Sequence, residues 1–298
     1  MVTQSAFAGA HTIKKLRAVE GYLRAYQNVM KRQNFRTVFF DAFAGTGDLP
    51  TDHPNGGLLA DVVDKDEMVQ GSTRRALQVA PPFHRYVFVE RMKGKVEELL
   101  RLKSEFGSLA DRIQVKQGDA NDELVAFCKA TDWRSFRAVV FLDPFGNQVR
   151  WATLEAVAKR PIDLWYLFPS HLGVNRQIDN DGNIDATHGP SLDSLYGTPS
   201  WRDAFIRHEK INDLFGETDV ATKQVDADIA TGFMIERMKS IFKGGVLDEW
   251  LPLGKNGAHW YSLIFACGNP RGGEIARRIA RHVVRRNKDG RPLRDRMD

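Results

Sequence analysis

The sequence predicts an α/β protein built on a mostly parallel, doubly wound, Rossmann-like sheet, with a helical insertion ahead of its closing strand or strands. Three observations carry that expectation. Short apolar runs alternate with amphipathic stretches of about ten residues, the crossovers that parallel neighbours need. Successive runs end in acidic or glycine residues, at Asp41, Glu90, Gly118-Asp119 and Asp143. The first run is followed by the glycine turn Gly45-Thr46-Gly47, which breaks the strand.

The elements follow in order. Leu16, Val19, Leu23, Tyr26 and Met30, three and four apart, predict a helix over 12–31 with Lys14, Lys15 and Arg17 on its outer face. Thr37 to Phe40 reads as a buried strand ending at Asp41, and Tyr86 to Val89 as a second ending at Glu90, with a helix from Val96 to Phe106. Ile113 to Val115 is a third strand, Ala138 to Leu142 a fourth and Asp163 to Phe168 a fifth, separated by helices near Asp122 to Ala130 and Thr153 to Lys159. Two stretches break the rhythm. Residues 49–72 form a long loop, a length that in a compact domain signals function or disorder. Residues 172–250 carry helices near Trp201 to Phe215 and Ala227 to Phe242, before an apolar closing strand, His259 to Cys267. Beyond it, Ile275, Ile279 and Val283 share a helix with Arg277, Arg278, Arg281, Arg285 and Arg286, either a solvated basic face over a core stripe or a phosphate-tracking surface. The organisation expected is therefore an N-terminal helix (1–35), a cofactor-binding core (36–170), a helical insertion (171–250) and a closing segment with the basic helix (251–298).

Composition bounds the function. With 298 residues, 42% of them hydrophobic, the chain can bury one large core. It has no signal-like start and no apolar run long enough to span a bilayer, so a cytoplasmic protein without membrane contact is expected. The net charge of +5 is compatible with a polyanionic partner without requiring one. Cys128 and Cys267 lie far apart in apolar runs, which points to core positions rather than a disulfide or metal cluster. The eight histidines form no metal-binding spacing, and no phosphate loop ending in Lys-Ser or Lys-Thr occurs, which excludes the usual metal and nucleotide hydrolases. Pro169-Ser170-His171 reads as a loop.

The strand ends define a candidate site, since ligands of doubly wound sheets bind beyond the carboxyl ends of the strands. The backbone of Phe43, Ala44, Gly45 and Gly47 can approach a ligand closely, with Asp41 as an acceptor, unless the glycines merely turn the chain. Glu90 is placed to accept both hydroxyls of a ribose, or is an exposed strand-end carboxylate. Asp119 could accept from an adenine amino group, although Gly-Asp also occurs in ordinary turns. In Asp143-Pro144-Phe145-Gly146 a carboxylate, a carbonyl without a neighbouring donor and an aromatic face combine. Such a group can hold a planar amine with its lone pair aimed at a methyl donor.

The chain resembles the three-Cys-motif partner proteins, a bacterial family with a methyltransferase-like Rossmann core. The matching segments are HTIKKLRAVEGYLRAY at His11 to Tyr26, FFDAFAGTG at Phe39 to Gly47, GSTRRAL at Gly71 to Leu77, FVE at Phe88 to Glu90, FLDPFG at Phe141 to Gly146, LYGTPSW at Leu195 to Trp201 and YSLIFACGNPRGGEI at Tyr261 to Ile275. The resemblance implies the fold of an S-adenosylmethionine-dependent methyltransferase, with cofactor residues Asp41, Gly45, Gly47, Glu90 and Asp119. It implies an acceptor site at Asp143, Pro144 and Phe145, and a separate partner protein bearing the three cysteines. Methyl transfer to an amine or similar nucleophile, with nucleic acid as a candidate substrate, is the leading expectation. The second is a non-catalytic cofactor-binding subunit of the three-cysteine partner; the third, a nicotinamide-dependent oxidoreductase, lacks the third glycine of its usual loop. Methyltransferases acting on adenine usually carry two prolines after the Asn or Asp, where this chain has one.

Overall fold

A computed structural model describes residues 10–47, 70–213, 216–255 and 257–288. The long loop expected at 49–72 falls mostly outside these residues. The chain opens with α1 (Ala10–Met30), β1 (Arg36–Asp41), α2 (Ser72–Leu77), β2 (Arg85–Glu90), α3 (Lys93–Glu105) and β3 (Ile113–Gln117). It continues with α4 (Ala120–Ala130), β4 (Phe136–Leu142), α5 (Trp151–Ala158) and β5 (Ile162–Phe168).

The main sheet has seven strands in the order β3-β2-β1-β4-β5-β9-β8. The pairings among β1 to β5 are parallel, and β9 (Tyr261–Cys267) runs antiparallel to both β5 and β8 (Leu251–Leu253). The strand order reverses between β1 and β4. Their register places Phe39 beside Val139 and Asp41 beside Phe141, so the two strands end level.

The period-two alternation of the central strands explains why both faces need helices. Val38, Phe40, Val87, Val140 and Leu142 point into one apolar cluster, with Leu124 of α4 and Leu154 of α5. Phe39, Tyr86, Phe88, Val139 and Phe141 point into the other, with Val19 and Leu23 of α1 and Leu99 of α3. Trp165, Tyr166 and both cysteines are buried in these layers. The sheet is therefore mostly parallel and doubly wound, as the alternation of runs predicts. Among the described residues, no helix is long and apolar enough to cross a membrane.

Three expectations change. The insertion is not wholly helical: after α6 (His188–Tyr196), α7 stops at Phe205 (Trp201–Phe205). The chain then enters the antiparallel pair β6 (Ile206–Asp213) and β7 (Gly216–Lys223) before α8 (Ala227–Lys239). Arg207 to Lys210 are all exposed, so no apolar stripe holds them as a helix, and a partner strand containing Thr218, Val220 and Thr222 suits pairing. The last helix, α9 (Gly273–Lys288), buries Ala276, Ala280, Val283 and Val284; of the expected stripe Val283 is inside and Ile279 half-buried, while Ile275 stands 46% exposed. Small alanines let α9 sit close to its neighbours, and that rotates Ile275 outward. Lys15, expected outside, is 9% exposed.

Candidate functional site

The loop after β1 is tied to the strand ends on both sides. The Ala42 amide donates to the Phe141 carbonyl at 3.1 Å, and the Ala44 amide to the Val89 carbonyl at 3.0 Å. Gly45 and Gly47 have φ of +62° and +87°, which L side chains rarely adopt. A Cβ on Gly47 would meet Leu102 at 2.6 Å, while one on Gly45 would meet nothing within 4 Å. Gly47 therefore serves packing against α3, and Gly45 leaves bare backbone on open space.

Asp41 lies beneath this loop, fully buried. It accepts from the Ser72 hydroxyl at 2.6 Å and from the Phe43 amide at 3.2 Å. Burial pushes its pKa up to about 7, with Asp143 adding in the same direction and the Ser72 bond opposing. It joins the loop to α2, and the Thr73 hydroxyl donates to the Ala44 carbonyl at 3.3 Å from the same helix.

A cavity of about 500 Å³ opens at the carboxyl ends of β1 to β4. Phe43, Gly45, Glu90, Asp119, Asp143 and Phe145 all line it, so four separated stretches of sequence meet there. Asp41, Ala44, Gly47 and Pro144 do not line it; they are buried and shape the loops behind it. Glu90 Oε1 accepts the amides of Arg91 and Met92, both at 2.8 Å, which fixes the carboxylate at the strand end. Asp119 caps α4 through Oδ1, accepting the amides of Asn121 and Asp122 at 3.1 and 3.3 Å, and meets Arg150 at 3.1 Å. Phe145 is 71% exposed and Met92 60%, two apolar side chains on the cavity's rim.

Several residues here went unread in the sequence. Asn121 links two walls of the cavity: its amide donates to the Gln148 carbonyl at 2.9 Å, and its oxygen accepts from the Arg150 amide at 2.9 Å and the Thr153 hydroxyl at 2.8 Å. The Gln148 side chain accepts the Phe145 amide at 3.0 Å and so fixes the strand-end turn. Lys15 of α1 forms an ion pair with Asp143, whose side chain is 24% exposed against 11% for the lysine. Arg91 and Lys95 add cations to the lining. A polar residue in the first turn after an acidic cap is the sequence signal that could have found Asn121; nothing local signals Lys15.

Pro169-Ser170-His171, read as a loop, instead leads into a π-helical turn, Ser170–Val174, with Pro169 just before it. Ser170 is fully buried and donates to the Trp260 carbonyl at 3.4 Å, while the His171 ring faces Asn175 at 2.8 Å. Nearby, Asp228, His259 and Ser262 form a chain with 3.1 Å and 2.8 Å links, the order of an acyl-transfer triad. Ser262 has no exposed surface and shares a 2.6 Å bond with buried Thr231, so a substrate carbonyl cannot reach it. The chain fastens α8 to β9. No group of metal-ligating side chains occurs among the described residues.

No protein-family model matches the chain, and no curated protein matches it. Among solved structures, a protein from Legionella pneumophila aligns with a TM-score of 0.43 and 14% identity, covering 80% of this chain and 94% of its own. The O-methyltransferase TomG from Streptomyces achromogenes, solved with S-adenosylmethionine, aligns at 0.36 and 14% identity, over 75% of this chain and 93% of that one. An O-methyltransferase from Bacillus cereus, in complex with S-adenosylhomocysteine, gives 0.34 and 16% identity, over 69% and 80%. Likenesses this distant carry no functional argument, and the fold stands on the strand order and register of the sheet itself.

Proposed function

We propose that the chain is an S-adenosylmethionine-dependent methyltransferase that binds its cofactor in the cavity beyond β1 to β4. The observation that carries this reading is the convergence of the loop at 42–45, Glu90, Asp119 and the Asp143–Phe145 turn on one cavity beside the point where strand order reverses. The donor set fits that cofactor. Glu90 Oε2 and Asp119 Oδ2 accept no hydrogen bond among the described residues, so each keeps an acceptor for ribose or adenine hydrogens. Met92 and Phe145 offer apolar faces to a flat ring, and Gly45 offers bare backbone to the amino-acid end. Bound there, the cofactor supplies an electrophilic methyl group on a positive sulfur.

The chain's own residues then orient the acceptor and exclude water. Asp143, which lines the cavity, would accept the hydrogens of an amine acceptor. Lys15 acts as a positioning residue: its ammonium holds the Asp143 carboxylate, and an amine acceptor shares or takes its place. Arg91 and Lys95 are cations that a polyanionic acceptor such as nucleic acid would meet at the rim.

Membership among the three-Cys-motif partner proteins belongs to this proposal too. In its support, the segments carrying the resemblance bond to one another: α1 to the Asp143 turn through Lys15, α1 to α2 through Glu20 and Arg75 at 2.9 Å, and α2 to the β1 loop through Ser72 and Asp41. The Lys15 pair also favours a second reading, a cofactor-binding subunit of the three-cysteine partner whose acceptor carboxylate is kept closed. The test joins equilibrium titration with S-adenosylmethionine to transfer of labelled methyl to DNA, RNA and protein, with and without that partner. Asp143→Ala should hold cofactor affinity within about threefold, a difference of under 1 kcal/mol, and abolish transfer. Equal loss of both would move Asp143 into the cofactor pocket.

A further inference from the structure

We propose that the groove between α1 and α9 is a second binding site, for a small ring compound bearing a carboxylate arm. The groove lies on the edge where the parallel strands begin, opposite the cavity: Phe35 precedes β1, Arg137 is the second residue of β4, and Asp163 the second of β5. It encloses a chamber of about 360 Å³, within the range of small-molecule sites.

The walls set the ligand's body. Tyr22, Tyr26 and Phe35 present rings, and Met30, Ile275 and Ile279 present aliphatic surface. Ala276 of α9 leaves this space unfilled, with Ile275 and Val29 standing 46% and 37% exposed at its rim. A flat ring of a few apolar atoms fills such a slot with offset or edge contacts.

The polar groups set its ends. Tyr26 lines the chamber, is 7% exposed, and its hydroxyl has no hydrogen-bond partner among the described residues. A buried hydroxyl left unpaired is costly, so a hydroxyl or N–H on the ligand's ring is favoured there. Arg137 and Arg271 line the same chamber. Arg137 is held by the carbonyls of Trp133 and Phe136 at 2.8 and 2.7 Å and lies 3.6 Å over the Phe35 ring, a fixed cation. The adjoining depression shares Val29, Gln33, Ile275 and Ile279, and adds Lys31, Arg32 and Arg278. Asp163 is the one acid among the described lining residues. The Tyr22 hydroxyl donates to it at 2.6 Å, and burial favours its protonated form. Five cations and one carboxyl already engaged select an anion over a cation.

The test uses the full chain and three probes with one ring: 4-hydroxyphenylacetate, p-cresol and tyramine, followed by ligand-observed NMR and calorimetry. The carboxylate should saturate, with p-cresol at least threefold weaker and tyramine at least tenfold weaker. Ile275→Glu and Arg271→Glu, both at exposed positions, should each weaken the carboxylate at least tenfold, and Tyr26→Phe several-fold. S-Adenosylmethionine affinity should stay unchanged in all three variants, which separates this site from the cavity on the opposite edge. Absence of saturable binding, equal affinity for the carboxylate and the amine, or carboxylate binding that survives both rim substitutions would overturn the assignment.

Discussion

At Asp41, burial raises the pKa to about 7 while the Ser72 hydroxyl and the Phe43 amide favour the charged form. The folded protein therefore holds this proton more tightly than the unfolded chain, whose carboxyl titrates near 3.8. Stability from Asp41 is greatest in acid and is lost as pH rises from about 4 through about 7, above which it levels. Relative to Asp41→Asn, wild-type melting temperature should fall across that window; parallel curves would mean Asp41 is ionised throughout. The Lys15–Asp143 pair behaves differently, because removing one partner strands a mostly buried charge. Lys15→Met should cost about 2–4 kcal/mol in denaturant unfolding, and Lys15→Met with Asp143→Asn less than the sum of the two singles. Additive costs would mean the pair is not coupled. Glu90→Ala should weaken S-adenosylmethionine binding about ten- to a hundredfold, the worth of a charged acceptor, without loss of secondary structure by circular dichroism. Glu90 and Asp143 were legible because a strand end announces itself as an apolar run meeting a carboxylate, and Asp119 because it follows the glycine that closes β3. Lys15 was not, since its partner lies 128 residues away and no local spacing records such a pairing.

The helices and loops that carry these residues depend on shared polar atoms. Asn121 holds the start of α4 to the turn that precedes α5 through its bonds to Gln148, Arg150 and Thr153. Asn121→Ala leaves those groups unpaired, and should cost about 1–3 kcal/mol in stability. It should also weaken cofactor binding about tenfold by calorimetry, because both cavity walls lose their link. Stability loss with unchanged affinity would make Asn121 a purely structural link. The central strands were readable since residues buried on both faces leave continuous apolar runs, as Val38 to Phe40 and Val139 to Leu142 do. Two elements misled for definite reasons. Trp201 to Phe215 read as one helix, but the tertiary pairing of β6 with β7 decides its second part. In α9, Ile275 and Ile279 suggested the inward face, whereas the close approach that Ala276 and Ala280 permit put the alanines inside. β8, three residues centred on Pro252, is too short to give a period.

Over the whole molecule, a doubly wound sheet carries its proposed chemistry at one edge, and the insertion between β5 and β9 adds a hairpin to it. Among the described residues, no residue of the segment 209–220 lines the cavity. Replacing them with Asn-Gly between His208 and Ala221 should leave S-adenosylmethionine affinity within about twofold, below 1 kcal/mol. A larger loss would bring the hairpin into the site. The fold class was the most legible feature at this scale, since it follows from the order of runs, while the proposed acceptor site depends on side-chain pairings such as Lys15 with Asp143 that only the folded chain assembles. The proposed cofactor is tested by calorimetric titration with S-adenosylmethionine, S-adenosylhomocysteine and NAD in parallel. Saturable micromolar binding of the first two, about 8 kcal/mol, with none of the third is the predicted result; NAD binding alone, or no binding of either adenosyl compound to the folded protein, would contradict it.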